Sequence, residues 1–164
     1  MLQFNVDDIV MYGVNGCCRV DAIEKRDAGD YYILKPVHND RTKFLVPLEN
    51  DELVSRMRRV PSKRTLRSYI KRAADEPTSW IDDNSERREA AKRVIADGTE
   101  LEMLVLVRSF YKHKQAVLAA GKKATSSDNS ILKTAQEHIR DEFSVVLDID
   151  PEDVDAYIEK AMAK

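Results

Sequence analysis

The chain has 164 residues, enough for one ordinary domain or two small ones, and 43% of them are hydrophobic, as in a typical globular protein. No run of about 18 apolar residues could span a bilayer, and the first residues lack the basic and apolar segments of a signal peptide, so we expect a cytoplasmic protein. The net charge of −2 and a pI near 6.0 exclude a uniformly basic, DNA-coating protein.

The first 55 residues are predicted to form short β-strands. Segments rich in Val, Ile, Tyr and Phe are separated by turn residues, and they cover 8–12, 17–25, 31–36 and 43–47. Four or five short strands in about fifty residues indicate a small, strongly bent β-barrel of the SH3 or Tudor kind. Domains of this kind usually bind partners through an open sheet edge or through their loops.

Two cysteines, Cys17 and Cys18, are adjacent in the second predicted strand. Neighbouring strand residues point to opposite faces, which suits neither a shared metal ion nor a disulfide between them. The three histidines are scattered along the chain. The sequence therefore predicts no metal site and no cofactor.

After Pro61 the spacing of apolar residues changes to that of amphipathic helices. Five predicted helices each begin with a capping signal, provided by Ser62, by Asn84 or Ser85, by Thr99 with Glu102, by Ser126 or Ser127, and by Asp150 before Pro151. The longest, over 100–118, is apolar nearly all round in its first half, which places it at the centre of the helical core. The helix before it, over 86–96, is expected to end at Gly98.

These elements predict an α+β protein with an N-terminal SH3/Tudor-like small β-barrel followed by a compact all-α domain of about five helices. The first domain is expected over 1–55 and the second over 62–164. The sequence contains no phosphate loop, dinucleotide glycine fingerprint, nucleophile elbow or His-Glu metal motif. We therefore expect a protein that is not an enzyme, with no small-molecule substrate and no membrane partner.

Basic charge is concentrated in the middle of the chain. Residues 56–123 contain 17 Lys and Arg and 9 Asp and Glu, whereas the segments before and after them have net charges of −4 and −6. The runs at 56–60 and 63–67 could form a phosphate-facing stripe or simply a solvated helix surface. Both interpretations remain open.

Several motifs, in order, resemble the CarD/CdnL family of bacterial RNA polymerase-binding transcription regulators. The segment FNVDDIVMYGVNG at 4–16 resembles the opening strand and turn of that family, and VDAIE at 20–24 and FLVP at 44–47 fall at its second and fourth strands. The same module occurs in transcription-repair coupling factor. In the second half, EPTSW at 76–80, the arginine pair at 87–88, ADG at 96–98 and LVRSF at 106–110 resemble further family motifs.

The resemblance implies that the Tudor-like domain docks on the RNA polymerase β subunit through Arg26, Lys43 and Leu45. Arg26 matches a basic contact residue of the family, whereas Leu45 stands where the family has a basic residue, and Lys43 is the nearest charge to it. It also implies that the helical domain reaches promoter DNA at the upstream fork and stabilises the open complex. There Trp80 would wedge into the minor groove, and Arg87 and Arg88 would bind phosphates. Such a protein would be associated with the nucleoid.

Other interpretations of the same residues remain. Trp80 could be a core residue that pins the second helix of the α-domain to the third, and Arg87 and Arg88 could pair with nearby acidic residues of their own helix. Residues 81–84 separate Trp80 from the arginine pair, and Asp82 and Asp83 would repel phosphate. This insert and the acidic C-terminal segment favour an alternative function, a polymerase-docking protein–protein adaptor that does not bind DNA.

Overall fold

A computed structural model describes residues 3–39 and 41–163. The chain divides into two compact units, Met1–Pro61 and Ser62–Lys164, which we call the sheet unit and the helical unit. The fold is therefore α+β, with strands first and helices after them.

The sheet unit is an antiparallel sheet with one short helix. Its elements are β1 Ile9–Tyr12, β2 Cys17–Arg26, β3 Gly29–Pro36, β4 Phe44–Pro47, α1 Asp51–Ser55 and β5 Met57–Arg59. The strand order within the described residues is β4-β3-β2-β1-β5. The first four strands agree with the prediction to within two residues at each end, and β5 lies between the two predicted domains, in a stretch for which no strand was predicted.

The predicted closure of this sheet into a barrel is not confirmed. Within the described residues β4 and β5 are the two edges of an open sheet. The connection between them is α1, which begins at the side-chain cap of Asn50 and contacts both edge strands.

One face of the sheet forms the core of this unit. Strand alternation directs Val10, Val20, Leu34 and Val46 to the same side, and all four are fully buried there. Tyr32 lies among them, and its hydroxyl accepts hydrogen bonds from the backbone N–H groups of residues 3 and 4. A bulge between Val20 and Ala22 shifts the register of β2 against β3, which explains the imperfect alternation in the sequence of β2.

An ion pair holds β5 close to the N-terminal segment. Arg59 donates from Nη1 to Asp8 Oδ2 over 3.0 Å, and its guanidinium carbon lies 4.9 Å from the centre of the Phe4 ring. The backbone N–H of Asn5 donates to the same carboxylate oxygen over 2.8 Å. The hydrogen bond from Asn5, followed by that from Arg59, keeps the pKa of Asp8 below its ordinary value of 3.8, although partial burial acts in the opposite direction.

Asp8→Asn is expected to lower the stability of the protein at neutral pH and to leave it unchanged in strong acid. Because the pKa of Asp8 is lowered by folding, its ionised form contributes stability above pH 3.8, and this contribution disappears as the pH falls through the folded pKa. Urea unfolding of both proteins across the acid range measures the effect. Asp27→Asn, in an exposed turn, is the control and should show no such convergence with pH.

The helical unit contains five α-helices within the described residues. They are α2 Lys63–Asp75, α3 Asn84–Asp97, α4 Glu100–Ala119, α5 Ser126–Leu147 and α6 Val154–Met162, the last preceded by a 3₁₀ turn at Pro151–Asp153. The caps at Ser62 and the capping box of Thr99 with Glu102 are confirmed. The predicted caps of α3 and α5 are off by one residue, because Asp83 and Thr125 accept the capping hydrogen bonds instead.

The core of the helical unit surrounds α4, as its apolar sequence predicts. Met103 and Leu104 are buried against Leu66 and Ile70 of α2 and against Phe143 of α5. Within the described residues no buried side-chain nitrogen or oxygen lacks a hydrogen-bond partner. The buried polar side chains are therefore accommodated without loss of hydrogen bonds.

Gly98 ends α3 for a different reason from the one expected. Its φ of −73° is not left-handed, so the special freedom of glycine is not used. A Cβ at this position would lie 2.5 Å from the carbonyl oxygen of Val94. Close backbone approach, rather than a left-handed cap, therefore requires glycine here.

No helix in the described part of the chain combines the length and the apolar character needed to cross a membrane. The same residues contain no group of three His, Cys, Asp or Glu side chains placed to hold a metal ion. Cys17 and Cys18 are both buried and form no disulfide.

Candidate interaction surfaces

Of the three residues predicted to contact polymerase, Lys43 and Leu45 lie at the edge strand β4, and Arg26 lies at the end of β2. Tyr31 of β3 pairs with Pro47 of β4, and residues directly opposite in an antiparallel pair project to the same face. Strand alternation places Leu45 on this face as well, opposite the buried Val46. The face therefore points away from the core of the sheet unit.

Arg26 extends this face at the end of β2. Its guanidinium carbon lies 5.6 Å from the centre of the Tyr31 ring, and its Nη2 is 2.8 Å from Oε2 of Glu24. Arg26 and Glu24 each expose 43% of their side chains, so this pair is open to solvent and contributes little to stability. An exposed arginine held beside a tyrosine ring is well placed to bind a partner.

Lys43 lies just before the start of the edge strand β4. It is exposed, whereas Leu45 is half-buried within the strand. We call Arg26, Tyr31, Lys43 and Leu45 the edge surface. It has an unpaired strand edge, two cations and an apolar centre, which together can add a partner strand and fix its register. The strand that contains Tyr31 was predicted, but Tyr31 itself was not predicted to be a site residue.

Trp80 lies between α2 and α3 and packs against α4. The imidazole of His113 stacks on its ring at 3.7 Å between centroids, and Phe110 meets it edge-on at 5.0 Å. The guanidinium carbon of Arg87 is 4.6 Å from the centre of the indole. Through these contacts Trp80 links α3 to α4, which is the role expected of a core residue. Its side chain is only half-buried, so part of the ring remains exposed.

Arg87 is buried and fully hydrogen-bonded. Its Nε and Nη2 donate to the two carboxylate oxygens of Asp128 at 2.9 and 3.1 Å. Nη1 donates to the carbonyl oxygens of Ile81 and Asp82, and Nη2 also donates to Asn84 Oδ1 over 2.6 Å. A guanidinium has five N–H groups, so none is left for a phosphate in this arrangement. Arg87 holds the segment that carries Trp80.

Asp128 was not predicted as part of any site. It lies in the first turn of α5 and is buried with its carboxylate against Arg87, a salt bridge in which the two side chains are 6% and 7% exposed. The expected pairing of Arg87 with neighbours on its own helix is therefore replaced by a pairing across the unit. Nothing in the local sequence signals this, except that Asp128 is an acidic residue at the start of a helix.

Arg88 and the acidic insert are exposed on the segment and helix that follow Trp80 in the chain. Arg88 is exposed on α3, and Asp82 and Asp83 are exposed in the segment before it. Asp83 also caps α3 through a hydrogen bond to the backbone N–H of Glu86. The exposed part of this site therefore contains an aromatic ring, one arginine and two carboxylates.

Comparison with known protein families decides the identity of the sheet unit. Residues 4–60 match the family described as the CarD-like/TRCF RID domain. The sheet unit is a CarD-like/TRCF RID domain. The match ends one residue before the boundary between the two units at Pro61. No curated protein matches the chain.

This finding confirms the resemblance for the motifs within residues 4–60. RID domains are RNA polymerase-interacting domains, and the edge surface lies within the matched residues. The β5 strand also lies within them, so the RID domain includes the whole open sheet. The helical unit is outside the match, and its interpretation depends on its own contacts.

Proposed function

We propose that the chain is a transcription regulator that docks on the β subunit of RNA polymerase through the edge surface of its RID domain. The helical unit is then positioned at promoter DNA, where it stabilises or modulates the open complex, and the protein is found with polymerase on the nucleoid. The match of residues 4–60 to the RID family carries this proposal. A regulator of this kind acts by binding polymerase and positioning its helical unit, and it needs no catalytic step.

Trp80 and Arg88 are the residues proposed to meet DNA. The exposed part of the Trp80 ring can press against an unstacked base step at the fork, and Arg88 can bind an adjacent phosphate. Arg87 has a different role from the one expected, because it positions the Trp80 segment from within the unit.

A second function is favoured by specific contacts. Trp80 is packed on His113, the donors of Arg87 are all used, and Asp82 and Asp83 are exposed beside them. In this alternative the RID domain docks on polymerase and the helical unit binds a further protein without touching DNA. Both functions share the polymerase contact.

Polymerase binding is tested by capturing purified core RNA polymerase with the immobilised full-length chain. Arg26→Glu and Lys43→Glu are each expected to weaken capture about tenfold or more, equivalent to about 1.4 kcal/mol, because each reverses a charge on the edge surface. Arg56→Glu is the matched control, since Arg56 is an exposed, ion-paired arginine of the same unit outside the edge surface, and it should bind like the wild type.

Two outcomes would contradict the proposal. Failure of the wild-type chain to capture polymerase would remove both functions together. Normal capture by Arg26→Glu and Lys43→Glu would show that polymerase binds the RID domain at another surface.

A further inference from the structure

His113 of α4 contacts Trp80 through the flat face of its ring. The two rings are nearly parallel, with 8° between their planes and 3.7 Å between their centroids. The imidazole is half-buried, and it forms no side-chain hydrogen bond or ion pair in the part of the chain that the structure describes. Imidazole can both donate and accept a hydrogen bond, so a histidine that uses neither capacity is used here for its ring.

The helix α4 provides a second aromatic side chain to the same tryptophan. Phe110 lies three residues before His113, and residues at this spacing project from the same side of a helix. Phe110 is buried and meets the indole edge-on, with 63° between the ring planes. His113 covers one face of the indole, because a parallel ring at 3.7 Å leaves no space for another group on that face. The two contacts together fix both the position and the tilt of the Trp80 ring.

The segment that carries Trp80 does not orient the ring by itself. Residues 77–82 lie between α2 and α3 and are neither helix nor strand. Arg87 holds their backbone through the carbonyl oxygens of Ile81 and Asp82. These hydrogen bonds leave the side-chain torsions of Trp80 free to choose among rotamers. The orientation of the indole therefore depends on the side chains that touch it.

We propose that His113 is a positioning residue for Trp80, an inference that rests on the proposed contact of Trp80 with DNA. The imidazole holds the indole in one orientation before any partner is bound, so that the exposed part of the ring is already directed toward the base step that it enters. A side chain that is ordered in advance loses less entropy on binding. His113 acts through Trp80 and makes no contact of its own with DNA.

The first test measures the mobility of the indole in the full-length chain without DNA. Trp80 is the single tryptophan, so the decay of tryptophan fluorescence anisotropy reports on this side chain alone. In His113→Ala the amplitude of the fast component, which reports side-chain motion, is expected to increase, because one face of the ring loses its partner. His113→Phe should restore the wild-type decay, since a phenyl ring can stack in the same place.

The second test measures the affinity of the full-length chain for a fluorescently labelled DNA fork junction. His113→Ala is expected to weaken binding about 2- to 10-fold, the range for one aromatic contact, and to leave the affinity for an unforked duplex unchanged. The double variant Trp80→Ala with His113→Ala should bind no more weakly than Trp80→Ala alone, because the effect of His113 passes through the indole.

Gln115→Ala is the matched control. Gln115 is an exposed, uncharged residue of the same helix, two positions beyond His113, and it makes no ring contact with Trp80. This variant should keep the wild-type anisotropy decay and the wild-type affinity for the fork. Circular dichroism checks that all the variants are folded.

The proposal is overturned if His113→Ala leaves the anisotropy decay or the fork affinity unchanged, or if His113→Phe behaves like His113→Ala. It is also overturned if His113→Ala weakens fork binding further when Trp80 is already absent. A wild-type chain that does not bind the fork would refute the proposed DNA contact, and this role of His113 with it. Normal fork binding with unchanged indole mobility would refute the positioning role alone, so the two failures are distinguishable.

Discussion

Asp128→Ala is expected to lower the free energy of unfolding of the helical unit by about 3–5 kcal/mol, because it leaves the buried Arg87 guanidinium without its counter-ion. Arg87 would still donate to the carbonyl groups of the Trp80 segment, but its charge would no longer be compensated. Urea unfolding followed by the fluorescence of Trp80, the single tryptophan of the chain, measures the effect directly.

Asp155→Ala provides the control. Asp155 also pairs with an arginine, Arg140, but that pair is 50% and 34% exposed, and its loss should cost less than about 1 kcal/mol. Removing both buried charges, with Arg87→Leu and Asp128→Leu, should recover part of the lost stability. Equal effects of Asp128→Ala and Asp155→Ala would show that the Arg87–Asp128 pair does not hold the unit together.

Trp80→Ala is expected to weaken binding to fork-junction DNA by about 5- to 150-fold, equivalent to about 1–3 kcal/mol for one stacked base. The loss should be similar at low and high salt, because the contribution of the indole is apolar, whereas the wild-type affinity itself should fall steeply with added salt. Fluorescence anisotropy of a labelled fork, with an unforked duplex measured in parallel, separates the wedge from backbone binding.

Tyr111→Ala is the matched aromatic control, since Tyr111 is 51% exposed on α4 and does not contact Trp80 in the described structure. It should bind the fork like the wild type. Since Trp80 also packs on α4, circular dichroism must show that Trp80→Ala is folded. If the wild-type chain does not bind the fork even at low salt, the helical unit is an adaptor rather than a DNA-binding unit.

The first four strands and the five helices of the helical unit could be predicted because their signals are local. Alternation of apolar residues, turn residues and helix caps depend on neighbours within about four positions. The capping box of Thr99 with Glu102 is an example, since both of its hydrogen bonds are between residues three apart. The RID family was also recognisable, because its motifs lie in these same local segments.

The open sheet could not be predicted in this way. Strand β5 has three residues, and it is a strand because Met57 and the next two residues pair with β1, more than forty residues earlier in the chain. The short helix α1 lies between β4 and β5, and a five-residue helix has too little sequence for a periodic signal.

The two candidate surfaces also differ in whether local sequence or contacts between distant residues determine them. Arg26, Lys43 and Leu45 were predicted from family motifs, and strand pairing and the Arg26–Tyr31 contact place Arg26 and Leu45 on the face that carries Tyr31. The role of Arg87 depended on Asp128, 41 residues away, which no local pattern connects to it. Burial converts an apparently surface arginine into the residue that holds Trp80, because a charge removed from water must find its partner wherever the fold provides one.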